Sequence, residues 1–281
     1  MDFNLYNLNN LKKLPLNNLT LNKKFKPAAK PTCLKRANTL LKSSFNWLIP
    51  KLCISCKQEL AQENHPCCLT CYANLAFQSH CCSQCGQVYS GTSDYCGRCI
   101  IKTPPFDACF CPFEYQGPIK EQIKAFKYKA KPELAKTLAQ LLYHEIIAND
   151  LPRPDLLIPV PMHISKLRDR GYNQSLLLTQ QLSKLIAIPY NRHILVKHKA
   201  TPAQAELSLK QRQTSVKGCF KVTEKAFIDQ MYRKSKHKHK IKHIAIIDDV
   251  FTTGATASEI AKVLKRKGVN YVEIWGIAHT V

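Results

Sequence analysis

The chain has 281 residues, room for about two folded units at roughly 150 residues each, and 45% of its residues are hydrophobic, enough for a buried core. Forty-two Lys and Arg against 19 Asp and Glu leave a formal charge of +23, a surface that attracts polyanions such as nucleic acid or phosphorylated ligands. No run approaches the roughly 18 uncharged apolar residues of a membrane-spanning helix, and Asn and Lys interrupt every short Leu run near the N-terminus, so neither a span nor a signal segment is predicted.

The first 50 residues carry nine Lys or Arg, one acid, no glycine and many Asn, a bias that predicts a mobile basic extension; the competing reading is a short docked helix around 40–48. Residues 51–111 hold twelve of the fourteen Cys and balance four bases with four acids. So many thiols in a chain expected to stay in the reducing cytoplasm point to metal rather than to disulfides.

Four Cys-x-x-Cys pairs stand in order: Cys53 with Cys56, Cys68 with Cys71, Cys82 with Cys85, and Cys96 with Cys99. Two intervening residues let one turn aim both sulfurs at a tetrahedral Zn²⁺, and two such turns complete its shell. Gly86 and Gly97 supply backbone freedom for those turns. One or two zinc ions are therefore expected, bound in sequence or cross-braced, with Cys67 and Cys81 placed to substitute for a neighbour. Cys33, Cys109, Cys111 and Cys219 read as ordinary small buried residues.

From residue 112 onward, helical and strand-like periods alternate, which predicts an α/β domain over 112–281. Residues 119–129 have a helical period. Pro132 opens a second helix, with Leu134, Leu138, Leu141, Leu142 and Ile146 on one side. Leu156, Leu157 and Ile158 form a buried strand that feeds a loop stiffened by Pro159 and Pro161. A helix over 173–186, a strand over 244–247, a helix over 258–267 stopped by Gly268 and a strand over 271–278 complete the pattern. Between them, Arg233, Lys234, Lys236, Lys238, Lys240 and Lys242 form a basic run interleaved with His.

The most informative segment is IAIIDDVFTTGATAS at 244–258. Asp248 and Asp249 are read as ending an apolar strand, and Thr252, Thr253, Gly254, Ala255 and Thr256 as a small-residue loop opening onto a helix. Such a loop offers backbone N–H groups and hydroxyls to one phosphate, while two carboxylates before it suit the paired hydroxyls of a ribose. Ligand sites of open α/β sheets lie beyond the carboxyl ends of their strands, where this loop falls. A strand ending in two Asp also suits a nucleotide-hydrolase metal site or a phosphoacceptor pocket. The phosphate loop required by the first is missing: Gly86 and Gly91 have its separation, but Thr92 follows where Lys is needed.

The run IIDDVFTTGAT resembles the phosphoribosyl-pyrophosphate binding loop of type I phosphoribosyltransferases. With the four Cys pairs, PPFD at 104–107, IKAFKYKA at 123–130, PVPMH at 159–163 and RGYNQS at 170–175, residues 51–281 resemble the ComF family of competence-associated proteins. The resemblance implies a parallel-sheet, type I phosphoribosyltransferase-like domain behind a small cysteine-rich zinc-binding module. It implies ribose hydroxyls on Asp248 and Asp249, the 5′-phosphate on the 252–256 loop, and a pyrophosphate, with Mg²⁺, near the loop after Pro159. Arg168 and Arg170 are the candidate positive charges there, and His163 reads as structural.

Residues 201–220 resemble the family's mobile loop, with Gln204 and Arg212 at polar or basic positions and Ser215 where Asn is expected. The implied reaction displaces pyrophosphate from C1 of ribose, with charge developing on the sugar ring. Positioning and electrostatics would carry it. Purine-specific relatives place an acid where Thr252 stands, so a purine acceptor is disfavoured. Two functions are implied: a phosphoribosyltransferase-like protein serving DNA uptake, or a non-catalytic sensor of phosphoribosyl pyrophosphate that holds single-stranded DNA and competence-machinery proteins.

Overall fold

A computed structural model describes residues 51–60, 65–200, 215–231 and 241–280. The expectations for residues 1–50, Gln204, Arg212 and the basic run over 233–240 lie outside the described residues.

The described residues open with two copies of one small unit. In each, a Cys-x-x-Cys turn sits at the tip of a short antiparallel bridge, Leu52 to Glu59 in one and Cys81 to Val88 in the other. The turns close alike: Lys57 N–H donates to Cys53 O at 3.0 Å, and Gly86 N–H donates to Cys82 O at 2.8 Å. Both closing residues adopt positive φ, 63° at Lys57 and 68° at Gly86, so a glycine belongs at the second position and a lysine tolerates the first. The third Cys of each unit then caps a single-turn helix, α1 (Leu69–Ala73) after Cys68 and α2 (Gly97–Ile101) after Cys96. Gly97 thus begins a helix rather than loosening a turn, a correction to its expected role.

The parallel sheet runs in the order β1-β7-β6-β3, from β1 (Ala108–Phe110), β7 (Tyr271–His279), β6 (His243–Phe251) and β3 (Leu156–Pro159). β2 (Phe113–Glu114) continues the edge of β1 along β7. The sheet therefore takes in residues 108–110, three positions of the segment assigned by composition to the cysteine module. β6 runs through the two acids to Phe251 instead of ending at Asp248 and Asp249, because Asp248, Val250 and Phe251 still pair with β7.

Alternation of side chains along the strands builds two cores. Leu156, Ile158, Ile244, Ile246 and Ile274 face α8 (Ala255–Lys265), whose Ile260, Ala261 and Leu264 are buried. That helix begins one turn earlier than its apolar spacing suggested. The same layer holds an antiparallel pair, β4 (Leu195–Lys197) and β5 (Phe220–Val222), followed by α7 (Glu224–Met231), and the second Cys unit. Leu157, Ala245, Ile247, Trp275 and Ile277 face the other way. They meet α3 (Gly117–Tyr128), α4 (Leu134–Ala148), α6 (Gln174–Ile186) and the first Cys unit.

Each of these helices carries its reason in the sequence. α3 has Pro118 in its first turn and buries Ile119, Ile123 and Phe126 along one stripe. α4 buries Leu138, Leu141, Leu142 and Ile146. α6 starts where the Asn173 side chain accepts from Leu176 N–H at 3.4 Å. An added helix, α5 (Ile164–Arg170), follows the Pro-rich loop; His163 caps it by accepting from Ser165 N–H at 3.3 Å, the structural role expected of that histidine.

Candidate functional site

The carboxyl ends of β3 and β6 meet a tight turn at Gly254, which caps α8 at φ +71°. Val160, Asp248 and residues Phe251 to Ala257 line a recess at this edge. The turn places Thr252, Thr253, Gly254, Ala255 and Thr256 on one wall. Thr253 Oγ1 accepts from Ala255 N–H at 3.4 Å, and Ser258 N–H donates to Gly254 O at 2.8 Å to start the helix. Phe251 and Phe106 form the floor under Gly254, edge to face at 5.9 Å.

Asp248 and Asp249 are held from two helices. Ser175, in the first turn of α6, donates through Oγ to Asp248 Oδ1 at 2.8 Å, and the Asp249 N–H donates to the same oxygen at 2.9 Å. Lys127, in the last turn of α3, sets Nζ 2.8 Å from Asp249 Oδ1. Burial first, then the neighbouring Asp249 charge, pushes the Asp248 carboxyl up to about 7 against the opposing pull of Lys127 and Ser175. Burial pulls Lys127 down, yet the Asp249 and Asp248 charges outweigh it and hold the ammonium above its ordinary value. Ser175 and Lys127 lie in two motifs that the resemblance singled out, RGYNQS and IKAFKYKA, but no sequence feature assigned either to this site.

Arg168 and Arg170 sit on α5, past the loop that follows Pro159. The Arg170 guanidinium lies over the Tyr128 ring at 5.2 Å, next to Lys127 in sequence. A cleft of about 500 Å³ opens on the other side of the same strand end, lined by Pro161, Met162, Leu167, Tyr172, Leu176 and Leu195, with Lys197 at its edge.

The eight paired cysteines separate into two groups, Cys53, Cys56, Cys68 and Cys71, and Cys82, Cys85, Cys96 and Cys99, each with its four sulfurs within 4.8 Å of one another. Cys56 and Cys68 sulfurs lie 3.8 Å apart, and Cys85 and Cys96 sulfurs 3.7 Å. Zn–S bonds of about 2.3 Å in a tetrahedron require sulfur separations of about 3.8 Å, so the donor sets fit zinc. The pairs are taken in sequence, which replaces the cross-braced alternative.

Burial pushes the Cys53 and Cys82 thiols up, but backbone amides aimed at their sulfurs outweigh it and hold them down at about 6 and about 7. Those sulfurs thus favour the thiolate that binds metal. Cys67 and Cys81 belong to neither group, and burial raises both thiols, Cys67 to about 12. Cys109, Cys111 and Cys219 are buried, as expected.

The fold and its sites define a protein with two four-cysteine groups that could hold zinc ions, packed on a mainly parallel α/β sheet. No family model matches the chain. Over 230 residues it is 32% identical to competence protein F of Haemophilus influenzae, covering 80% of this chain and 96% of that protein. It is 30% identical over 237 residues to the DNA utilization protein YhgH of Escherichia coli, covering 83% and 99%. With competence protein ComFC of Bacillus subtilis it shares 23% identity over 224 residues, 78% of this chain and 79% of that protein. The chain belongs to the ComF family of competence-associated proteins. Among the described residues no helix is long and apolar enough to cross a membrane.

Proposed function

We propose that the protein binds phosphoribosyl pyrophosphate at the β6–α8 turn and serves competence or DNA utilisation as a phosphoribosyltransferase-like protein. The observation that carries this reading is the meeting of Asp248 with the 252–256 turn at one recess beyond the strand ends, with Asp249 beside it on β6. Asp248 and Asp249 accept hydrogen bonds from the ribose hydroxyls, and the turn, at the positive end of α8, receives the 5′-phosphate. Arg168 and Arg170 lie on the element that follows β3, where they serve the pyrophosphate. Mg²⁺, brought by the ligand, would neutralise that leaving group. The neighbouring cleft offers an apolar wall to an acceptor. The names of the relatives support the role in competence and DNA utilisation.

Calorimetry with phosphoribosyl pyrophosphate and Mg²⁺ tests the reading. Asp248→Asn with Asp249→Asn keeps size while weakening the acceptors. At about 1.5–3 kcal/mol for a hydrogen bond to a charged group, the loss of one weakens binding on the order of tenfold or more. Thr256→Val should also weaken it, whereas Ser258→Ala, further along α8, should not. No binding by the folded, zinc-loaded parent, or equal binding by the double variant, rejects the pocket.

A further inference from the structure

Lys127 is a charged group that the binding chemistry above leaves without a task. It comes from α3, a helix outside the turn and its strands, and follows the fully buried Phe126. Its side chain is only 18% exposed, and its partner Asp249 only 8%. Burying an ammonium is costly unless its charge is matched, so a lysine here signals a carboxylate pair that needs a fixed positive charge.

The other contacts agree with that division of labour. Lys127 takes Oδ1 of Asp249, while Ser175 and a backbone N–H take Oδ1 of Asp248. The second oxygen of each acid then remains to accept from a hydroxyl. Two adjacent carboxylates lose what repulsion is left by keeping a proton, as Asp248 does up to about 7 even beside Lys127, or by recruiting a divalent cation. An ammonium 2.8 Å from Asp249 stands where that cation would be drawn and repels it.

We propose that Lys127 is the built-in counter-cation of the Asp248–Asp249 pair, so that the pair takes the vicinal diol of a phosphorylated ribose with no divalent ion on its carboxylates. The proposal rests on the reading of this recess as a ribose-phosphate pocket. Any Mg²⁺ at the site then sits on the ligand's pyrophosphate, away from these acids. Lys127 is a positioning residue in this scheme. It sets the charge and orientation of Asp249 and leaves the sugar to the acids.

Ribose 5-phosphate is the discriminating probe, because it carries the diol and the phosphate but no pyrophosphate to chelate a metal. Titrated by calorimetry into the full zinc-loaded chain, it should bind with the same affinity in EDTA, at a dose and exposure that leave the zinc in place, as in Mg²⁺. Lys127→Gln should bind at least tenfold more weakly in the chelator and recover in Mg²⁺, while Lys127→Arg keeps metal-independent binding. Mn²⁺ titration followed by electron paramagnetic resonance gives a second readout: Lys127→Gln should gain a site that the parent lacks. A parent whose ribose 5-phosphate binding requires Mg²⁺ overturns the proposal alone, and this arm needs no variant to fold. Equal binding by Lys127→Gln in chelator does the same. If the folded parent binds neither ribose 5-phosphate nor phosphoribosyl pyrophosphate, the pocket reading fails and the proposal with it.

Discussion

Gly254→Ala tests whether the aromatic floor fixes the ligand turn. Gly254 sits at φ +71°, and a Cβ built there would stand 2.9 Å from Cζ of Phe251 and 3.4 Å from the ring of Phe106. Neither ring can retreat into solvent, since Phe106 is 2% exposed and Phe251 5%. Alanine must therefore bear the left-handed conformation, about 1–2 kcal/mol, and displace packed rings, about 1–3 kcal/mol more. Gly268 supplies the control: its φ is +87°, but a Cβ there meets nothing within 4 Å. Gly268→Ala should lose only the conformational part.

In a domain of this size about 2–4 °C of melting temperature corresponds to each kcal/mol. The expected losses are about 2–8 °C for Gly268→Ala and about 4–20 °C for Gly254→Ala, measured at equal zinc content. Urea unfolding of both variants gives the same comparison as free energies. Only Gly254→Ala should also weaken binding of phosphoribosyl pyrophosphate, because only it moves the 252–256 turn. If Gly254→Ala proves no more destabilising than Gly268→Ala, the Phe251 and Phe106 rings do not hold the turn in place.

Zinc content should be two per chain; Cys99→Ser and Cys71→Ser should each lower it to one, read by metal analysis under anaerobic conditions, and loss of both ions from either variant would contradict two separate groups. Asp248 ionises near its ordinary 3.8 when unfolded but only at about 7 when folded, so the folded state holds its proton through that window and stability falls as pH rises from about 4 to 7. Asp248→Asn should remove that fall, making its urea midpoint relative to the parent's climb across the window; parallel midpoints would refute the shift. If single-stranded DNA is held through its phosphates by the +23 chain, affinity should drop steeply with salt, and neutralising the basic residues of the 233–242 run should reduce the slope. Binding indifferent to both would exclude that run as the contact.

Most of the sheet domain was legible because its signals are local. A strand buried on both faces reads as an unbroken apolar run, as in Ile244 to Ile247, and a helix with one buried stripe shows its period, as in Ile119, Ile123 and Phe126. What escaped was short or non-local. β1, β2, β4 and β5 are two or three residues long, too brief for a period, and exist because a partner strand completes their hydrogen bonds. α5 buries no residue and so has no apolar stripe to announce it. The end of β6 was misplaced for a related reason. Asp248 and Asp249 look like a strand terminator by hydrophobicity, but pairing with β7 carries the backbone on to Phe251.

The acids and the small-residue turn are contiguous in sequence, so a scan of residue types finds them. Their partners come from far along the chain, the counter-charge Lys127 more than a hundred residues upstream on α3 and the hydroxyl donor Ser175 on α6, and only the packing of both helices on one face of the sheet brings them in. The same separation applies to the floor of the turn. Phe106 accepts through its carbonyl from Gln84 Nε2 at 3.2 Å, and Cys109 N–H donates to Ser83 O at 3.3 Å, so the second four-cysteine unit braces the segment on which Gly254 rests. Ser83 and Gln84 are the two residues between the first pair of sulfurs in that unit. A metal that fixes the turn between Cys82 and Cys85 therefore also fixes the hydrogen bonds that seat Phe106. Loss of metal from this group should loosen the ligand turn through packing alone, more than loss from the first group, which contacts the opposite face of the sheet. Comparing the affinities of Cys99→Ser and Cys71→Ser for phosphoribosyl pyrophosphate measures that difference, and equal affinities would show that the brace is not transmitted.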